Sequence, residues 1–353
     1  MENPMTIFQS IILGVLQGIA EFLPISSSGH LKVAQELFGL SEVPLLFDVM
    51  LHLATLAAVI LYFRKKIARL FAILFRWIFT SGKRKTENGK MEVERGKLEL
   101  ENEVGKAGSG TAFAETRSNP VSQDLPPSGS LPTPSATMAS PFSPTPSPRG
   151  IAPKTPEADL LTGTDELGRK TILAVIVATI VTGAIGVVTS KLIPELPIKV
   201  TCVGFLFTAC LLIFSSIWAK KHDSNNLEEA RGISILQALF IGFMQGVGTL
   251  PGVSRSGSTI AGAQLAGVNR AAAGEFSFIV SIPAILGAFV LEAKDLGEVG
   301  SQIGALPVFC GCLAAFAWGY LSLSILMKLI RKGKLEWFAC YLIPLGILGL
   351  IFF

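Results

Sequence analysis

Charge is what this sequence lacks. Only 16% of its 353 residues are Asp, Glu, Lys or Arg, against roughly 25% in a soluble globular chain, and the charges it has are bunched. Between Thr171 and Ala219 the charged residues are Lys191, Glu195 and Lys199 alone, and residues 303–327 carry none. Half the chain is hydrophobic, and the mean hydropathy is +0.55. Such runs exclude a soluble globular fold, because a bilayer crossing needs about 20 mostly apolar residues and several segments supply them. A net charge of +4 is too small to point to nucleic acid. Cysteine is scarce as well. Cys202, Cys210, Cys310, Cys312 and Cys340 all lie in apolar stretches, and Cys310-Gly311-Cys312 has no partner set at metal-ligand spacing, so neither zinc nor disulfides are expected. A cleavable signal peptide is not expected either, since Met1–Ser10 has no basic region ahead of a short apolar core.

What is present divides into apolar segments, polar breaks and one low-complexity stretch. The first apolar run, Thr6–Leu23, stops at Pro24-Ile25-Ser26-Ser27-Ser28-Gly29-His30, and a short helix at about Leu31–Phe38 follows. A second broken run reads Ile233–Leu250, Pro251–Thr259 and Ile260–Val268. Crossings are expected at Leu45–Phe63, Thr171–Ser190, Ile198–Ala219, Glu275–Leu291, Ala305–Met327 and Trp337–Phe353. Residues 82–170 differ in kind. Eleven of the 20 prolines fall between Pro120 and Pro156, behind a mixed-charge run at Lys83–Lys106. Such a composition buries too little apolar surface to offset the entropy of ordering, so a disordered cytoplasmic insertion is expected there.

The two breaks are copies of each other. At a constant offset of 228, Gly14 matches Gly242, Gln17 matches Gln245, Gly18 matches Gly246, and Ile25–Gly29 matches Val253–Gly257. Chance apolar similarity does not reproduce small and polar positions, so the chain reads as an internal duplication. Residues 1–81 and 171–219 form one repeat and 233–353 the other. Basic residues cluster after Phe63, at Lys220–Arg231 and at Lys328–Lys334, and basic loops stay inside. Three crossings per half meet that condition only if each broken run (6–40 and 233–268) dips in and returns. The expected fold is therefore an all-α integral membrane protein with inverted-topology repeats, about six transmembrane helices and two re-entrant helix pairs, both termini outside. Non-helical backbone at membrane depth is tolerated only when it is buried in protein or lines a cavity.

The breaks also carry the chemistry. Ser and Thr hydroxyls at a helix start satisfy free N–H groups, and those N–H groups with the helix dipole make an anion site. Arg255 stands within one break. An arginine at membrane depth is expensive; it either grips phosphate oxygens with its planar fork or pairs with a buried carboxylate. Glu21 is the second expensive residue, and Gln17 lies one turn before it on the same face. Such a pair can hold a cation or orient a water. His30 is a candidate proton donor or base, while Asp48 and His52 share a helix face and either orient the site or pair with each other. Glu275 reads as an interfacial charge. Together Gln17, Glu21, Ser26, Ser27, His30, Ser254, Arg255, Ser256 and Thr259 describe a pocket for a phosphate-type anion, and the amphiphile it suits is a lipid phosphate. Spacing leaves hydrolysis and transport both open.

These residues resemble one family closely, the bacterial undecaprenyl-diphosphate phosphatases of the bacitracin-resistance type. The family's [E/Q]-x-x-x-E motif is matched by Gln17 and Glu21, its Ser-Ser-x-Gly-His run by Ser26–His30, and its P-G-x-S-R-S-x-x-T motif by PGVSRSGST at 251–259. Phe47-Asp48 and Glu275–Phe278 also fit, and the resemblance covers all but roughly 82–170. It implies hydrolysis of undecaprenyl diphosphate to undecaprenyl phosphate and phosphate, which recycles the carrier lipid for cell-wall synthesis. It also implies a multi-pass protein of the plasma membrane with its site open to the outer face, and a divalent cation, Mg2+ or Ca2+, at Glu21 and Gln17. Ser27, less so Ser26, would be the nucleophile or a phosphate ligand. His30 would assist proton transfer, Arg255 would clamp the diphosphate, and Ser254, Ser256 and Thr259 would donate around it. A homo-oligomer is compatible with the sequence. Two departures stand out: Gln17 replaces the Glu of many members, and the insertion lies outside the usual pattern. The orientation predicts that a membrane-impermeant thiol reagent applied from outside labels cysteines placed beside Lys199 or Lys294, and not beside Lys221 or Lys332; the reverse pattern contradicts it.

Overall fold

Each apolar run becomes a helix because lipid offers no partner to a backbone N–H or C=O, so these groups must bond within their own segment. The computed structural model describes residues 5–40, 45–79, 161–192, 197–222, 232–292 and 303–352. Among the described residues the regular structure is helical throughout. The helices are α1 (Ile7–Phe22), α2 (Ser27–Leu37), α3 (Leu45–Tyr62), α4 (Arg64–Phe79), α5 (Asp165–Leu192), α6 (Ile198–His222), α7 (Ile235–Val247), α8 (Arg255–Leu265), α9 (Arg270–Glu292), α10 (Ala305–Arg331) and α11 (Trp337–Phe352). Met1–Trp77 with Ala158–Phe353 makes one unit and Ile78–Glu157 another; nearly all of the second lies outside the described residues.

Four helices, α5, α6, α9 and α10, are each long and apolar enough to cross a bilayer. The expected crossing at Leu45–Phe63 is α3, which meets that test only together with α4, across a bend of 80°. The expected last crossing, α11, is a 16-residue apolar helix. Apolar side chains on these helices point outward, as lipid requires. Only 28% of the apolar window of α5 is buried, and its Ile176, Ile180, Val187 and Val188 are exposed. The chain is an all-α integral membrane protein.

Two expectations need correction. Helix α5 starts at Asp165, inside the stretch read as insertion, because Asp165 and Glu166 in its first turn complement the positive end of the helix. Leu161 and Leu167 are buried, and Thr171 Oγ1 donates to the Leu161 carbonyl at 2.8 Å. The Pro-rich part, to residue 160, lies outside the described residues. Glu275, read as an interfacial charge, is buried in the protein and ion-paired. Its residue is 7% exposed, it accepts from Lys66, and Arg331 stands 3.8 Å away. The carboxylate thus gathers the ends of α4, α9 and α10, three of the basic termini, onto one buried acceptor.

At the 228-residue offset two pairs of helices, α1 with α7 and α2 with α8, share their caps. Thr6 and Ser234 cap α1 and α7 in identical capping boxes with Gln9 and Gln237. Ser26 and Ser254 cap α2 and α8, each accepting from the glycine three residues on. Packing follows the same rule. Helix α1 lies along α10 and α7 along α5, at approaches so close that a Cβ on Gly14 would strike the Gly311 carbonyl and one on Gly242 the Ala178 backbone. Helices in lipid gain little from apolar burial against each other, so close backbone approach and polar links do the joining. Ser322 Oγ accordingly donates to the Gly18 carbonyl (2.6 Å) and Thr182 Oγ1 to the Gly242 carbonyl (3.0 Å). Gly14→Leu should destabilise the purified protein by at least about 1–3 kcal/mol through overpacking against immovable backbone. Gly183→Ala, in a helix with open space around it, should be neutral or slightly stabilising. Thermal unfolding in detergent reads both.

Candidate functional site

The site forms where α1 ends and α8 begins. Glu21 sits in the last turn of α1, 9% exposed, and both of its carboxylate oxygens are in use. Oε1 accepts from Arg255 Nη2 at 2.5 Å. Oε2 accepts from Ser27 Oγ at 2.6 Å and Gln17 Nε2 at 3.1 Å, and His52 Nε2 lies 3.3 Å from it. An uncompensated buried charge is costly; here one carboxylate is met by donors from α1, α2, α3 and α8. The two copies of the break are thereby tied together, since Ser27 and Arg255 occupy the same position of the repeat.

Local backbone sets those side chains. Proline at 24 ends the first helix, and Ser26 caps the next with φ 69°, ψ 94°, the one positive φ outside glycine among the described residues. A non-glycine residue there is strained. Its counterpart Ser254 is relaxed at φ −75°, so the strain belongs to one copy only. In the second copy Gly252, at φ 78°, lies so close to the Thr201 carbonyl that no side chain fits; this turn aims Arg255 at Glu21.

The other expected residues fall into two groups. Ser256 and Thr259 line a cleft with Glu21, Phe22, Arg255, Ser277, Phe278 and Ser281. Its empty volume is about 270 Å3, open solvent at the mouth included. Thr259 Oγ1 donates to the Arg255 carbonyl (2.6 Å). Ser254 is committed to its cap, with Gly257 N donating to Oγ (3.1 Å) and Ser256 Oγ 3.2 Å away. His30 stands apart from the Glu21 cluster. Its Nδ1 lies 2.8 Å from the Ser26 carbonyl and its Nε2 2.8 Å from the Tyr341 hydroxyl, and its ring packs on Phe205 and Tyr341. A carbonyl only accepts, so Nδ1 donates and both ring nitrogens are engaged.

For His52 the sequence left two readings open, orienting the site or pairing with Asp48, and the structure favours the first. His52 does not pair with the Asp48 carboxylate, which accepts from Gln35 Nε2 at 2.9 Å. Instead its Nδ1 donates to the Asp48 backbone carbonyl (2.7 Å), which turns Nε2 toward Glu21. The available signal was the polar face shared by Asp48 and His52, but a face does not say which neighbour it meets. Among the described residues no group of three or more His, Cys, Asp and Glu could hold a metal. One buried oxygen beside Glu21, Gln17 Oε1, has no hydrogen-bond partner.

Fold and site together define a class: a multi-pass helical membrane protein with a buried carboxylate–guanidinium pair at duplicated helix breaks. Comparison with known proteins narrows it. The family profile described as bacitracin resistance protein BacA matches residues 10–94 and 151–348, and the chain belongs to that family. An undecaprenyl-diphosphatase of Treponema denticola is 37% identical over 343 residues, covering 97% of this chain and 96% of its own. One from Desulfosudis oleivorans is 32% identical, covering 96% and 95%, and one from Carboxydothermus hydrogenoformans 30% identical, covering 98% and 97%.

His52→Ala should slow the family reaction about 10- to 100-fold, the usual effect of losing a hydrogen bond to a charged group, with His52→Gln recovering part of it. Phosphate release by the purified chain measures both, and an unchanged His52→Ala rate would show that Glu21 needs no support from α3.

Proposed function

We propose that this chain hydrolyses undecaprenyl diphosphate to undecaprenyl phosphate and phosphate, recycling the carrier lipid for cell-wall synthesis. The names of its full-length relatives support the substrate. The observation that carries the chemistry is the Ser27 hydroxyl held 2.6 Å from Glu21 Oε2, a nucleophile within reach of a base. A polar cleft holding Arg255 beside exposed apolar helix faces fits an amphiphile whose tail stays in the bilayer.

On this reading the Glu21–Arg255 pair is the state before substrate arrives. A diphosphate draws Arg255 to its own oxygens, and Glu21 Oε1 loses its donor. The carboxylate then takes the proton of Ser27 as Ser27 Oγ attacks the terminal phosphorus. The bond from that phosphorus to the bridging oxygen breaks, and undecaprenyl phosphate leaves. Water next hydrolyses the serine phosphoester, returning serine and phosphate. Arg255 stabilises the charge developing on the phosphoryl oxygens, and Ser256 and Thr259 line the same space. His52 and Gln17 hold Glu21 in place. His30 is held by the Ser26 carbonyl and the Tyr341 hydroxyl.

A divalent cation fits the donors. Mg2+ favours oxygen ligands from one or two carboxylates together with substrate phosphates, and Glu21 with the unpaired Gln17 Oε1 supplies the protein's share. Such an ion neutralises phosphate charge and polarises the phosphoryl group. The protein works in the bacterial plasma membrane, with the basic helix ends on the inner face. The clustering of basic residues at the ends of α4, α6, α9 and α10 supports that orientation.

Glu21→Ala and Arg255→Ala should each reduce phosphate release from a polyprenyl diphosphate by about 100- to 1,000-fold or more. Wild-type protein at background with Mg2+ or Ca2+ present would contradict the reading and favour transport of a phosphate lipid.

A further inference from the structure

The cleft has a wall that neither break supplies. Glu21 and Phe22 come from α1; Arg255, Ser256 and Thr259 come from α8; Ser277, Phe278 and Ser281 come from α9. Around the two serines α9 is apolar and packed, with Phe276, Phe278, Ile279 and Val280 all buried. A hydroxyl in such a stretch gains nothing from burial. Ser277 is 3% exposed, it lines the cleft, and no hydrogen bond to its hydroxyl is found among the described residues. Ser281 Oγ donates only to the carbonyl of Phe278 in its own helix (2.8 Å), a local bond that a rotating hydroxyl gives up readily. On the wall of the cleft, the Ser277 hydroxyl is placed to donate to a ligand there.

The surroundings say which. The cleft holds a guanidinium paired with a carboxylate, and on the hydrolase reading that guanidinium passes to a phosphate. Phe22 packs edge-on against Phe278 at 5.6 Å, and Phe63 stacks on the same ring. These rings close the apolar side of the cleft and strengthen hydrogen bonds made inside it. Ser277 and Ser281 stand one turn apart on one face of α9, about 5.4 Å along the axis, so they meet two phosphate groups more readily than one. A single guanidinium fork pairs with two oxygens at a time, and a diphosphate has others to satisfy.

We propose that Ser277 and Ser281 are diphosphate-binding residues, and that they give the cleft its preference for a diphosphate head group over a monophosphate. This rests on the hydrolase reading. It adds a consequence: the product, having one phosphate, forfeits the α9 contacts and leaves.

The test uses the full chain, purified in detergent, with a polyprenyl diphosphate as substrate and inorganic diphosphate and inorganic phosphate as competitors. The double variant Ser277→Ala/Ser281→Ala should raise KM about 10- to 100-fold, as expected for lost hydrogen bonds to a charged ligand, while kcat changes much less. The preference for diphosphate over phosphate as competitor should fall by a similar factor. Ser277→Thr, which keeps a hydroxyl, should restore part of it, and Ser324→Ala, on an exposed face of α10, should do nothing. Unchanged KM and competitor preference in an active double variant overturn the proposal. So does a fall in kcat or thermal midpoint with the preference intact, because that marks a structural role. If wild type releases no phosphate the hydrolase reading fails, and calorimetric binding of inorganic diphosphate to wild type and double variant then decides the serines alone: equal affinities overturn their role.

Discussion

A carboxylate and a guanidinium meet at membrane depth, one from each copy of a duplicated segment. Glu21 ends the first broken helix and Arg255 begins the second, and their 2.5 Å contact is the covalency-free link between the two breaks. Neither charge is stable there alone, since burying an unpaired ion costs several kcal/mol. A buried pair is nonetheless a weak source of net stability. Its value lies in being exchangeable: each partner keeps the other solvated until a stronger anion arrives. The strained Ser26, the tight Gly252 turn and the His52–Asp48 support all serve the placement of that pair.

The pair sits at two breaks that match in sequence at an offset of 228 residues. Two copies of one break bring two helix starts together, and symmetry would place like groups at like positions. Divergence at a single register position, Ser27 in one copy and Arg255 in the other, makes one side a hydroxyl and the other a cation. His30 and Ser258 diverge in the same way. Meanwhile the scaffold stays conserved in kind, with matching capping boxes and matching close contacts of α1 with α10 and α7 with α5. The chemistry is asymmetric on a symmetric frame.

Much of this was legible in the residues. The charge-poor runs mark the helices, and the 228-residue offset locates both breaks, because small and polar residues inside apolar sequence have few reasons to be there. Glu21 and Arg255 followed from the expense of their location, and Ser27 from the hydroxyls at a helix start and the family resemblance. Three things were not legible. The helical start at Asp165 lies beyond a compositional boundary, and an acidic first turn extends a helix past its apolar core. Glu275 stands beside apolar residues at a crossing's expected end, which describes an interfacial and a buried charge equally well; only the approach of Lys66 and Arg331 separates them. His52, Ser277 and Ser281 reach the site from α3 and α9, and which face of a crossing meets a cleft is a property of packing that periodicity cannot supply when lipid and protein are both apolar.

The central claim is that Arg255 exchanges Glu21 for the diphosphate. It is tested most directly by calorimetric titration of inorganic diphosphate, in chelator, into wild type and Glu21→Gln. Removing the competing carboxylate frees Arg255, so the account predicts tighter binding by Glu21→Gln. Equal or weaker binding would contradict it.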